Sequence, residues 1–197
     1  EHQLCGSSRG ILLADVIGKR LQAFTRGCML RNSGQAFQDT HAGVQAGYGT
    51  DFIAHIVRTF LAIQKARGRA AAALFVDVKN AFYSVVRERC FSVASMGDED
   101  IAFVFQSLNI GPEAMQELAK DISQDNTILA EFGMEPHLEK IIAEFHQETH
   151  FHTNGVQNPI ETLKGTRPGV PLADVVYGFL MAKILKNVAQ QMDNIDV

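Results

Sequence analysis

Asp77 stands inside an apolar run, Leu74-Phe75-Val76-Asp77-Val78-Lys79-Asn80-Ala81-Phe82-Tyr83. An ionised carboxylate between valines on a strand fit for burial is costly unless a cation or a dense set of donors offsets it. Two roles are compatible with that cost. Asp77 either caps a strand end by accepting from neighbouring N–H groups, or it is kept to hold a cation, as perturbed carboxylates in clefts are. A second set of groups, His146, His150 and His152 with Glu144 and Glu148, offers imidazoles and carboxylates within nine residues. Its spacing does not fit the usual helical zinc pair, so these histidines read as surface groups before they read as ligands.

Elements of regular structure must position these groups, and 197 residues with 46% hydrophobic content suffice for one sizeable core. Leu12, Leu13, Val16, Ile17, Leu21 and Phe24 recur at helical spacing, which predicts an amphipathic helix over 11–25 ended by Gly27. The Gly-rich stretch 31–49 predicts a loop, and Thr50 or Asp51 a cap for a second helix that closes on Lys65 to Arg69. Residues 70–78 read as a strand and 83–93 as a helix. Further helices are expected over 112–130 and 138–145, then a hairpin with arms 149–153 and 160–163. A Gly/Pro loop, 165–174, leads into an apolar helix over 175–188.

Charge divides the chain. Residues 1–95 carry 12 Lys+Arg against 6 Asp+Glu, net +6, whereas 96–197 carry 6 against 16, net −10. A basic half either complements the acidic half or receives an anionic partner such as a phosphate backbone. No stretch approaches the roughly eighteen apolar residues of a membrane span, and the start lacks a signal-peptide layout. Three widely spaced cysteines suit reduced thiols. The chain therefore reads as intracellular, with nucleus and cytoplasm not distinguished, and its first residue, Glu1, suggests a fragment or a processed chain.

Asp77-Val78-Lys79-Asn80-Ala81-Phe82 resembles the first catalytic box of reverse transcriptases, closest to retroelements without long terminal repeats: an apolar strand with Asp, three variable residues, then Ala and an aromatic. Gly165-Thr166-Arg167-Pro168-Gly169-Val170-Pro171-Leu172-Ala173-Asp174 resembles that family's Gly-x-x-Gln-Gly-x-Pro-Leu-Ser-Pro box, with Pro168, Ala173 and Asp174 departing from it. Arg9-Gly10-Ile11-Leu12-Leu13 with Gly18-Lys19, and Gly43 to Thr50, are similar to its finger segments. The resemblance spans most of the chain except about 98–148. It implies an α+β fold: residues 1–70 as a fingers-like region and 71–197 as a partial palm, with a small antiparallel sheet packed against helices and an acidic helical insertion at about 98–148.

The resemblance also implies chemistry. Nucleotidyl transfer is a doubly metal-assisted in-line displacement. Asp77 and the Val78 carbonyl are then the oxygen ligands to Mg²⁺, with Mn²⁺ as the alternative. Asn80 and Ala81 present N–H groups to the triphosphate, Phe82 lies under the sugar as a gate against a 2′-hydroxyl, and Arg9 and Lys19 are the cations for the phosphates. Gly169 allows close approach to base or sugar. Implied partners are an RNA template, a DNA primer and deoxynucleoside triphosphates, with self-association through an uncovered sheet edge. The family's Asp-Asp hairpin box is absent from the 197 residues, so the chain alone is expected to be inactive. The alternatives are a non-catalytic nucleic-acid-binding remnant and a structural helical domain in which Asp77 is a cap.

Overall fold

Asp15 opens the first helix by accepting from the Gly18 N–H at 2.8 Å, which satisfies one of the donors a helix start leaves unpaired. The computed structural model describes residues 14–33, 36, 37, 41–44, 47–92, 98–108, 110–123, 126–152 and 154–193. Helix α1 is Val16–Asn32 and α2 is Thr50–Ala66, the latter closed by Arg67 and by Gly68 at φ +66°. A 3-10 turn, Ala81–Ser84, precedes the single turn α3, Arg87–Cys90. Then come α4 (Asp98–Leu108), α5 (Pro112–Ser123), α6 (Ile128–Glu131) and α7 (Pro136–Glu144). Strands β1 (His150–Phe151) and β2 (Ile160–Glu161) pair antiparallel, and α8 runs from Pro171 to Asp193.

The architecture is mostly helical with one small two-stranded antiparallel sheet among the described residues. Its centre is α8, which begins at Pro171 because proline's fixed φ and missing N–H suit the first turn. Leu172, Val175, Val176 and Phe179 recur at helical spacing and are fully buried against Met29, Val85, Phe91, Ile128, Leu129 and Ile142. Each such side chain contributes about 1.5–3 kcal/mol by leaving water. Helix α1 lies along α8, and the turns at Ala42–Val44 and Ala81–Ser84 also pack on it. No described helix is long and apolar enough to cross a membrane.

Several expectations are corrected. Helix α1 continues through Gly27 to Asn32, and it buries Gln22, Thr25 and Met29 while Val16, Ile17, Leu21 and Phe24 stay exposed. Met29, fully buried in the core around α8, sets that rotation, and Arg26 on the same face meets Asp174 of α8 at 2.9 Å. Residues 70–78 form no strand. Among the described residues nothing pairs with them, and an isolated strand is not stable by itself. The helix expected over 83–93 is broken at Val85 and Val86, because the Val85 carbonyl accepts from the Gly165 N–H instead. The helix expected over 112–130 ends at Ser123, and a new start is capped by Thr127. The hairpin lies where expected, but its four strand residues are exposed, so the sheet is not packed against helices.

Gly178 lets α8 approach the turn Ala42–Val44, since a Cβ there would lie 2.4 Å from Val44 Cγ1. Gly178→Ala gains about 1 kcal/mol of helix propensity but overpacks by about 1–3 kcal/mol. Urea unfolding is expected to show net loss for Gly178→Ala and partial recovery when Val44→Ala is added.

Candidate functional site

Two distant segments meet at one glycine. Gly165 donates to the Val85 carbonyl and Thr166 to the Phe82 carbonyl, both at 2.8 Å. Gly165 adopts φ +87°, and a Cβ there would stand 3.0 Å from the Phe82 carbonyl oxygen and 3.1 Å from Tyr83 Cα. Only glycine satisfies both the backbone angle and the approach. The junction brings the segment that follows Asp77 against the loop that opens α8.

Arg87 holds this junction from inside. It is buried, and its guanidinium donates to the carbonyls of Gly165 (2.9 Å), His146 (2.8 Å), Thr162 (2.6 Å) and Lys164 (3.2 Å), and to the Thr162 hydroxyl (3.0 Å). No carboxylate is among these partners, so backbone dipoles carry the compensation that a buried charge requires. Burial, and then the charge of Arg167, draw its pKa down to about 10, which leaves it a cation at neutral pH. Sequence reasoning missed Arg87, because Arg87-Glu88-Arg89 looks like a solvated charge run.

Asp77 is exposed rather than buried. The desolvation that seemed to demand a cation is therefore absent. The Asp77 charge still reaches Tyr177 on α8, whose phenol is pushed up by burial and then by the Asp77 carboxylate. Phe82 is half-buried and packs on the Tyr177 ring at 5.2 Å, so Tyr177 links Asp77, Phe82 and α8. Asn80 adopts φ +56°, a conformation asparagine tolerates better than most residues, and Ala81 starts the 3-10 turn. Gly169 is exposed at φ +104°. Lys19 is half-buried on α1, and Arg9 lies outside the described residues, as does Gly10. Asp174 occupies the position of the box's last proline and takes a forked bond from Arg26, which also donates to the Val44 carbonyl.

The histidines separate. His150 and His152 are exposed, whereas His146 is fully buried against Phe91, with Nδ1 2.8 Å from the Ile142 carbonyl. Burial, opposed by that bond and assisted by Arg167 and Arg87, pulls its pKa down to about 3. Cys90, whose thiol burial pushes up to about 12, is unreactive. Glu131 joins Arg89 and Lys183, and Arg89 also meets Asp121, which ties α3, α5, α6 and α8 together.

No three His, Cys, Asp or Glu side chains converge as metal ligands among the described residues. Asp77 and the Val78 carbonyl are hard oxygens of the kind Mg²⁺ takes, but two oxygens fall short of its octahedral demand. The donor set fits in kind and not in number. A cleft of about 1000 Å³ opens beside this region, lined by Arg26, Val44, Tyr48, Ile53, Val57 and Phe75, among others. No protein-family model matches the chain, and no curated protein or solved structure matches it.

Arg87→Met leaves several buried carbonyls unpaired, and the expected loss is about 3–5 kcal/mol in urea unfolding. His146 binds its proton more readily unfolded, near 6.5, than folded, near 3. Its contribution is fully present above pH 6.5 and is lost as pH falls toward 3, at up to about 1.4 kcal/mol per pH unit. His146→Gln is expected to show a correspondingly flatter decline across that window, measured as the difference from the parent.

Proposed function

We propose that this chain is the fingers-like region and partial palm of a reverse-transcriptase-like, RNA-directed DNA polymerase, and that by itself it binds nucleotide without extending a primer. The observation that supports this reading is the hydrogen bonding of Phe82 and Val85, just downstream of Asp77, to the Gly165 loop, with Tyr177 touching Phe82 and feeling Asp77. Asp77 to Phe82 and the Gly165 loop are the two boxes whose resemblance was strongest, and more than eighty residues separate them in sequence. In this reading Asp77 and Val78 hold one side of a Mg²⁺ or Mn²⁺ ion whose remaining oxygens come from the triphosphate. Asn80 and Ala81 face the phosphates, Phe82 the sugar, and Gly169 the base. RNA template and DNA primer are the polymer partners.

A second reading, a non-catalytic nucleic-acid-binding remnant, is favoured by Asp174. Its carboxylate is engaged by Arg26 in a box that ends in proline in the family. Titration of a fluorescent deoxynucleoside triphosphate separates the two. The polymerase reading expects binding that requires Mg²⁺ or Mn²⁺ and weakens about tenfold or more in Asp77→Asn, a difference of about 1.4 kcal/mol. Binding indifferent to metal and to Asp77→Asn would favour the remnant. A primer-extension assay with the 197-residue chain is expected to give no templated product, since the Asp-Asp box is missing from it.

A further inference from the structure

Residues 70–77 leave α2 after Gly68 and, among the described residues, make no backbone hydrogen bond. Leu74, Phe75 and Val76 are 88%, 82% and 77% exposed. An exposed apolar run that includes Phe75 and Val76, in a segment whose N–H and C=O groups are unpaired among the described residues, is a template for strand addition. The occupant can be read from the segment itself, because one antiparallel register makes it complementary to its own copy.

We propose that a second copy of this chain covers residues 69–77, the two segments pairing antiparallel about a two-fold axis at Ala73. Arg69 then faces Asp77 of the other copy, and the same ion pair recurs at the opposite end, as a two-fold interface requires. Ala70 faces Val76, Ala71 faces Phe75, and Ala72 faces Leu74, so a small side chain meets a large one at every apolar step. One face of the ribbon carries only Ala70, Ala72, Leu74 and Val76; the other carries Phe75 between the charged pairs. Slipping by one residue sets Asp77 against Ala70 or Gly68 and forfeits both ion pairs. Arg67 and Lys79 lie beyond the ribbon, where the α2 cap and the turn at Ala81–Ser84 lead the chains apart.

Sedimentation equilibrium in EDTA, without nucleotide, tests the interface. The parent is expected to show a monomer–dimer equilibrium. Arg69→Asp and Asp77→Arg should each weaken it about tenfold or more, and the double variant should recover most of the loss. Ala73 alone faces its own copy, at a separation a disulfide can span. Ala73→Cys should therefore form an intermolecular disulfide on oxidation, whereas Ala71→Cys should not exceed the background from the native thiols. A monomer at every concentration reached, a double variant no better than the singles, or equal crosslinking from 71 and 73 overturns the proposal. Its fate is separable from that of the polymerase reading, since the double variant restores dimerisation without restoring a carboxylate at position 77.

Discussion

A buried guanidinium that hydrogen-bonds to carbonyls rather than to a carboxylate organises this molecule. Arg87 sits on a single helical turn and reaches the carbonyls of four residues drawn from the turn after α7, from the residue that follows β2 and from the loop before α8. A planar fork with five N–H donors can do this, whereas an ammonium could not satisfy so many directions at once. Of these carbonyls, that of Thr162 also accepts from the Thr149 hydroxyl at 3.3 Å. The hairpin and the Gly165 loop are therefore fixed relative to α3, and α3 follows directly on the segment that carries Asp77 and Phe82.

The placement of Phe82 passes through that arrangement. Once Arg87 pins the Gly165 carbonyl, the Gly165 and Thr166 N–H groups are aimed at Val85 and Phe82, and Phe82 is brought to the Tyr177 ring. The Arg26–Asp174 pair joins α1 to the first turn of α8, on the face that Met29 buries. Asp174 is also placed where a helix N-terminus favours negative charge. A departure from the box thus acquires a structural occupation in this chain.

The N-terminal half keeps much apolar surface in water. Val16, Ile17, Leu21 and Phe24 on α1, Phe52, Phe60 and Ile63 on α2, and Leu74 to Val76 are all exposed. The core, by contrast, is concentrated around α8 and the acidic half that precedes it.

Local pattern was sufficient for the existence of α2, α7 and the 150–161 hairpin, and for the Gly/Pro loop running into an apolar helix. In each case the signal is a turn residue or a period that acts within a few residues, although the cap expected for α2 at Thr50 or Asp51 falls instead at Gly49, without a side-chain bond. It also singled out Asp77 and the Gly165 loop as the two segments worth joining. It could not decide whether 70–78 is a strand, because a strand exists only by pairing with something else. Nor could it find the inward face of α1, which depends on where α8 stands more than a hundred residues away. Arg87, Tyr177 and the buried state of His146 were illegible for the same reason. Their roles come from carbonyls and rings contributed by remote parts of the chain, and only tertiary packing brings those within reach.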